Sequence, residues 1–148
     1  MVLIDGSAGE GGGQVLRTAL GLSLVTQTPF QIVKIRGRRP KPGLQRQHLA
    51  CVKAAAIIGE ALVEGDALAS QELVFRPRAL RAGNYQFAIG SAGSTTLLLQ
   101  ALLPALLVVA GAERARMKDQ LLRRERVTLD RRIADHRCRL HAGQMLAL

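Results

Sequence analysis

Aromatic residues are scarce in this sequence. Its 148 residues include no Trp, one Tyr and three Phe, so Leu, Val, Ile and Ala must build the core. The apolar content of 48% is enough for one folded domain of this length. The two cysteines, Cys51 and Cys138, lie far apart and match no metal-ligand spacing. That spacing excludes a cysteine-based metal site, and Cys51, which falls in a predicted helix, is most simply a buried thiol.

Long apolar runs and a targeting segment are also missing. The longest apolar stretch, residues 97–110, is interrupted by Gln100 and Pro104. It is shorter than the ~20 residues that cross a bilayer, so a buried helix is the better interpretation. The N-terminus has no basic region, and Asp5 interrupts its short apolar run. We therefore expect a cytoplasmic protein with no membrane partner.

Acidic residues are absent between Glu10 and Glu60, although the same stretch holds eight basic residues. Five of the eight lie between positions 34 and 41, in a segment that Pro40 and Pro42 stiffen. A charge run is often only a solvated surface, but such surfaces usually mix signs. Arginine forks suit bidentate contact to phosphate. With a net charge of +10 and a pI near 11.2, the pattern favours a polyanionic partner such as nucleic acid or a phosphorylated ligand.

Glycine, in contrast, is concentrated at the start of the chain, with five glycines between positions 6 and 13. This stretch lies between a predicted strand, Val2 to Asp5, and a helical pattern that begins near Gln14. Such a loop lets backbone N–H groups approach an anion, although an ordinary surface turn would look similar. It matches neither a P-loop nor the dinucleotide fingerprint. The carboxylate of Glu10 inside the loop indicates a divalent metal or proton transfer beside bound phosphate.

The order of predicted elements is β-α-β-α-β-β, followed by a third, apolar helix and a tail. Periodicity predicts helices over about 14–27 and 44–61, and strands at 2–5, 30–35, 73–75 and 85–89. The last two strands are expected to form a hairpin around Gly83 and Asn84. Ser91 to Ser94 would supply a turn and an N-cap for the third helix. The fold class is therefore α/β (layered α+β), with two helices on one face of a four-stranded sheet.

Two polar residues in helical segments stand out as site candidates. His48 follows the basic segment in the first turns of the second helix, and Gln100 interrupts the apolar third helix. Either side chain can be a structural hydrogen-bonding group rather than a ligand contact.

Three separated blocks of the sequence resemble the RNA 3′-terminal phosphate cyclase family. The first runs from Asp5 to Arg17, and the second joins Ile35-Arg36 to Lys41-Pro42-Gly43-Leu44 and Gln47-His48-Leu49. The third joins residues 89–94 to Leu99-Gln100 and Leu103-Pro104. The resemblance covers about residues 2–112. It implies an enzyme that uses ATP and Mg²⁺ or Mn²⁺ to convert an RNA 3′-phosphate into a 2′,3′-cyclic phosphate, through a histidine–AMP adduct and transfer of AMP to the RNA phosphate.

Site roles follow from the same resemblance. Glu10 would lie by the metal and the ATP phosphates, Arg17 would contact phosphate, and Gln100 would contact the nucleotide. The RNA-end side would be lined by four residues: Arg36, Arg39, Gln47 and His48. The family fold repeats a two-helix, four-stranded unit, so this chain would hold one repeat and the start of the next. The exposed apolar faces of such a unit would favour self-association.

The resemblance ends at about Glu113, which sets residues 1–112 apart from a tail over 113–148. Residues 114–148 contain ten Lys or Arg and four Asp or Glu, with a poor helical stripe. His136 and His141 lie there, but nothing around them resembles the family's nucleophile site. We therefore expect no catalytic histidine in this chain. We interpret the tail as a divergent or out-of-frame end, partly helical or disordered, of a truncated cyclase.

Two alternative functions remain at this point. A non-catalytic cyclase-like RNA-binding protein would share the fold, although the presence of Glu10, Arg17 and His48 together argues against it. An enolpyruvyl transferase uses a similar repeated unit and binds small phosphorylated substrates. It would not need an acid-free stretch from residue 11 to residue 59. Steep salt dependence of RNA binding would separate the RNA-binding proteins from the transferase.

Overall fold

A β-α-β unit with parallel strands opens the fold. It positions the glycine-rich segment after its first strand and the basic segment after its second strand. The computed structural model describes residues 1–81, 85–88, 92–109, 116–120 and 126–130. Its helices are α1 (Gly13–Thr26), α2 (Arg46–Ile58) and α3 (Ala92–Val109). Its strands are β1 (Val2–Asp5), β2 (Phe30–Val33), β3 (Leu62–Glu64), β4 (Leu73–Arg76), β5 (Tyr85–Ala88), β6 (Arg116–Gln120) and β7 (Arg126–Asp130).

The first four strands form one mixed sheet in the order β1-β2-β4-β3. β1 and β2 are parallel, with Val2 opposite Phe30 and Asp5 opposite Val33. β4 runs antiparallel to both β2 and β3. Because parallel neighbours end at the same edge of a sheet, the segments that follow β1 and β2 emerge side by side. These segments are the glycine loop (residues 6–13) and the basic loop (residues 34–43).

The core lies between this sheet and the helices. On the inner face of the sheet, Phe30 and Ile32 of β2 and Leu73 and Phe75 of β4 alternate with less buried neighbours, as the period of a strand requires. The Phe30 and Phe75 rings stack with centroids 5.7 Å apart. α1 and α2 cover this face, and α3 packs against both helices. The predicted class, two helices on one face of a four-stranded sheet and then an apolar helix, is confirmed.

The predicted hairpin between residues 73–75 and 85–89 is wrong. β4 pairs instead with β3 and β2, and β5 pairs with β7 in a second sheet of order β5-β7-β6. Three residues are too few to show an alternating pattern, so β3 escaped prediction. Its hairpin with β4 is supported by an ion pair between Arg76 and Glu64. Gly83 and Asn84, the proposed turn, lie outside the described residues.

Helix and strand ends differ from the prediction by a few residues. α2 is shorter at both ends than the predicted 44–61. The helical spacing of Leu49, Val52, Ala56 and Ile57 predicts that Ile57 faces inward, but Ile57 is exposed and Ile58 is buried. β2 ends at Val33 because Lys34 has a left-handed backbone, yet Ile35 is still buried in the core. α3 begins at Ala92, so Ser94 lies inside it; Ser91, in the predicted cap, is outside the described residues.

The described part of the tail consists of two strands rather than a helix. β6 and β7 pair antiparallel, with Arg116 opposite Asp130 and Gln120 opposite Arg126. The remaining tail residues, His136 and His141 among them, fall outside the described ranges, so the division at residue 112 stays a prediction. None of the helices that the structure describes is long and apolar enough to cross a membrane.

Candidate anion-binding site

The glycine loop and the basic loop meet at the edge where β1 and β2 end. The first contact continues the sheet, as the Gly6 N–H donates to the Val33 carbonyl at 2.7 Å. Farther along, Arg38 Nη1 donates to the Gly9 carbonyl at 3.3 Å. Arg39 Nη2 lies 3.6 Å from Glu10 Oε2 in an ion pair whose carboxylate is 95% exposed. Ion pairs and hydrogen bonds as exposed to solvent as these add little to the stability of the fold, but they keep basic side chains beside the glycines.

Each of three consecutive glycines faces one of these basic groups. A Cβ atom on Gly11 would come within 3.2 Å of Arg38 Cβ, and one on Gly12 would come within 3.4 Å of Arg39 Nη2. A Cβ atom on Gly13 would collide with His48 Nε2 and lie 3.0 Å from Arg17 Nη1. At position 13 glycine is required because the imidazole occupies the space of a side chain. The glycines thus let cationic side chains approach the start of α1.

The N-termini of α1 and α2 converge at this point, since Gly13 opens α1 and His48 lies in the first turn of α2. The N-cap residue of α1 is Gly12, which has no side chain that could accept a hydrogen bond from the helix. The first turn of α1 contains no acidic residue. The first N–H groups of a helix have no intrahelical acceptor and carry the positive end of its dipole. The start of α1 has this character, and the positive end of the α2 dipole lies beside it although a capping box closes part of that helix start. With several arginines nearby, the arrangement is suited to an anion.

Arg17 reaches this site from the second turn of α1. Its Nε atom is buried and has no hydrogen-bond acceptor within the described part of the chain. Leaving a buried guanidinium N–H without an acceptor costs about 1–3 kcal/mol or more. A phosphate oxygen would satisfy it, since phosphate accepts hydrogen bonds and carries the opposite charge.

His48 is 2% exposed, and its ring is fixed by the start of its own helix. The Gln45 backbone N–H donates to His48 Nδ1 at 3.0 Å. The Gln45 side chain in turn accepts from the His48 backbone N–H, so the two residues form a capping box. The pKa of His48 is lowered to about 4, mainly by burial and also by the positive charges of Arg36 and Arg17. His48 is therefore neutral near pH 7.

The basic loop is held closed at its base by backbone hydrogen bonds. The Gly43 N–H donates to Ile35 O at 2.7 Å, and the Ile35 N–H donates to Gln71 O at 2.9 Å. Within the loop, Arg36 Nη1 donates to Lys41 O at 2.6 Å. Lys34 and Arg36 both have positive φ, +52° and +53°, a conformation that residues other than glycine adopt at a cost. The fold holds this backbone in place, so the arginines are presented in a fixed arrangement.

The structure brings together five of the seven predicted site residues: Glu10, Arg17, Arg36, Arg39 and His48. Gln47 and Gln100 are exposed. Within the described part of the chain, neither makes a hydrogen bond to the other five. Their predicted roles in RNA-end and nucleotide binding stay predictions.

Two contributors to the site were not singled out from the sequence. In the sequence, Arg38 does not differ from the other basic residues of positions 34–41. In the structure, its hydrogen bond to the Gly9 carbonyl places it beside the glycine loop. Gln45 could not be found because glutamine followed three residues later by histidine is not the usual capping-box pattern of Ser or Thr with Glu or Gln.

A divalent metal would find one carboxylate here, that of Glu10. Among the described residues, no three His, Cys, Asp or Glu side chains gather as a metal site made by protein alone would require. Mg²⁺ commonly binds through one or two carboxylates together with substrate phosphates. The exposed Glu10 carboxylate, in the glycine loop and beside Arg39, fits a metal of that kind.

These features define an α/β protein with a cluster of basic side chains where the N-termini of two helices meet. The family model described as RNA 3′-terminal phosphate cyclase matches residues 8–118, about three quarters of the chain. The chain therefore belongs to the RNA 3′-terminal phosphate cyclase family. The match begins within the glycine loop and includes most of β6, so it confirms the predicted resemblance and extends it a few residues beyond 112.

Proposed function

We propose that this chain binds the phosphate-bearing substrates of an RNA 3′-phosphate cyclase, namely the 3′-phosphate end of an RNA and ATP. The observation that carries the proposal is the buried Arg17 Nε, which has no hydrogen-bond partner among the described residues. Its guanidinium and His48 both approach Gly13, where the N-termini of α1 and α2 meet. Family membership supports RNA and ATP as the sources of the phosphate.

We assign the site residues to phosphate binding, to orientation of the RNA end and to metal binding. Arg17 and the N–H groups that open α1 would hold phosphate oxygens, while Arg36, Arg39 and His48 would orient the RNA end. Glu10 would hold a divalent cation that bridges to the ATP phosphates and offsets their charge. Two polyanions repel each other strongly, and bringing their phosphorus atoms together needs fixed cations and N–H donors. Residues 11–59 contain no carboxylate, and Asp5 at the end of β1 is paired with Lys34 at 3.4 Å, so little negative charge opposes them.

The reaction expected of the family is an exchange of phosphoanhydride and ester bonds. A nucleophile takes AMP from ATP and releases pyrophosphate, and AMP then passes to an oxygen of the RNA 3′-phosphate. The RNA 2′-hydroxyl then attacks the phosphorus of the 3′-phosphate, which closes the cyclic ester and releases AMP. His48 is unsuited to accept AMP because Nδ1 accepts the Gln45 N–H, which leaves the proton of the neutral ring on Nε2 and no nitrogen lone pair free to attack phosphorus. We therefore propose that His48 assists binding and that AMP is accepted elsewhere.

Binding of two short RNAs of one sequence, ending in 3′-phosphate or 3′-hydroxyl, tests the proposal. We expect preference for the 3′-phosphate and a log–log salt slope of about −2 for three phosphate contacts on a single strand. Arg39→Gln should weaken binding of the phosphate-ended RNA about tenfold. Arg78→Gln is the matched control, since Arg78 is exposed and follows β4 at the opposite edge of the sheet.

Incubation with Mg²⁺ and ATP labelled at the α-phosphate tests the assignment of His48. Label retained on denatured protein and lost in His48→Gln would show that His48 accepts AMP and would overturn that assignment. Equal affinity for the two RNA ends would overturn the binding proposal. RNA binding without any response to ATP would instead favour a non-catalytic, RNA-binding relative.

A further inference from the structure

We propose that His48 acts as a neutral hydrogen-bond donor through Nε2–H, locked in that tautomer by the backbone N–H of Gln45. This inference rests on the proposed function for the identity of the acceptor, a terminal phosphate of RNA. It goes further by assigning a tautomer, a direction of donation and a positioning group.

The capping hydrogen bond determines where the proton sits. The Gln45 N–H can donate only to a nitrogen with a free lone pair, so Nδ1 of His48 carries no proton. A neutral imidazole then carries its proton on Nε2. The bond spans the first turn of α2 and is paired with the reciprocal bond from the His48 backbone. Turning the ring would therefore break a cap of the helix.

Among the described residues, the charged groups that act on the ring oppose a second proton. Arg17 approaches from α1 and Arg36 from the basic loop, and both are cationic. Three residues along its own helix lies Cys51, a buried thiol whose pKa is raised to about 11, mainly by burial. The other titratable residues of α2, Arg46 and Lys53, are basic and exposed. No carboxylate is available between residues 11 and 59 to stabilise an imidazolium. The ring therefore stays neutral at physiological pH.

The direction of the donor is set by the packing against α1. Nε2 lies against Gly13, the first residue of α1, and Arg17 Nη1 approaches the same position. A phosphate oxygen bound beside them would accept a hydrogen bond from Nε2–H together with hydrogen bonds from the guanidinium. A neutral donor adds direction without further charge. It cannot act as a general base, because its one nitrogen free of the cap already holds a proton.

Nitrogen-15 NMR of the imidazole rings in the full chain reads the tautomer directly. We expect one histidine with a pyridine-type Nδ1 and a pyrrole-type Nε2, and with no change between pH 8 and pH 5.5. The His48→Asn variant identifies its signals by their loss. A mixture of tautomers, or protonation above pH 6, would overturn the inference whatever the RNA binding shows.

Two amide variants of His48 distinguish the hydrogen bond that Nε2 would donate to phosphate from the one that Nδ1 accepts at the cap of α2. Asparagine places its oxygen near the position of Nδ1, so His48→Asn keeps an acceptor for the Gln45 N–H but has no donor at Nε2. Glutamine reaches the position of Nε2 and restores the donor without the cap acceptor. We expect His48→Asn to remain folded and to bind 3′-phosphate RNA at least tenfold more weakly, and His48→Gln to recover part of that loss.

The opposite order, with His48→Asn binding like the parent and His48→Gln binding weakly, would show a purely structural histidine and overturn the inference. If the parent chain itself does not prefer the 3′-phosphate end, the proposed function fails. The tautomer measured by NMR then still decides whether Gln45 positions the ring.

Discussion

The carbonyl oxygen of Ala69 lies where the Cβ atom of any other residue at position 43 would have to be. Gly43 also has a φ of +78°, in the left-handed region. Around this contact, the Leu44 N–H donates to Ser70 O at 2.9 Å and the Ala69 N–H donates to Leu44 O at 2.8 Å. The segment before β4 thus fixes the end of the basic loop.

Replacing Gly43 separates the cost of this contact from the cost of backbone conformation. Gly9 has a similar left-handed backbone, φ +59°, but a Cβ atom there would meet nothing within 4 Å. We expect Gly9→Ala to lower the free energy of unfolding by about 1 kcal/mol. Gly43→Ala should cost about 1–3 kcal/mol more, because its Cβ meets a backbone atom that cannot move aside. Urea unfolding of both variants measures the difference, and equal midpoints would contradict it.

Arg17→Met should increase stability while weakening phosphate binding. Methionine keeps the apolar stem and removes a buried N–H that lacks an acceptor in the described part of the chain. We expect a gain of about 1 kcal/mol in unfolding free energy and about a tenfold loss of affinity for 3′-phosphate RNA. Arg78→Met makes the same replacement at an exposed position and should change neither. Loss of stability in Arg17→Met with full binding would mean that Arg17 is structural.

Acid should destabilise the protein through His48. The pKa of His48 falls from 6.5 to about 4 on folding, so the unfolded chain binds a proton more readily. The stability that depends on neutral His48 is complete above pH 6.5 and is lost as pH falls towards 4, by about 3 kcal/mol in all. Urea unfolding at several pH values measures this slope. His48→Asn should flatten it, and an unchanged slope in that variant would assign the loss to other groups.

Local sequence patterns predicted the parts of the fold that depend on local forces. The apolar spacing of Leu16, Leu20 and Leu24 is that of a helix packed on one side, and all three are buried in α1. The glycine loop and the basic loop were recognisable from composition. Their meeting depends on the parallel pairing of β1 with β2, which follows from the β-α-β order.

The remaining features of the fold and site depend on tertiary contacts, which local sequence patterns do not reveal. β3 has three residues, and its pairing with β4 rather than β5 depends on the whole sheet. Ile57 and Ile58 are adjacent and equally apolar, so only the docked position of α2 determines that Ile58 is buried. The partnership of Gln45 with His48 likewise requires the geometry of a helix end.

The parallel pairing of β1 and β2 also links binding to folding. Glycine-loop and basic-loop residues are adjacent only while these two strands are paired, so the unfolded chain offers no such site. A ligand that binds only the native state adds RT ln(1 + [L]/Kd) to stability, about 2.7 kcal/mol at a hundredfold excess over Kd. The melting temperature of this chain should therefore rise with the concentration of a phosphate-ended oligonucleotide, reporting occupancy without a label on either molecule.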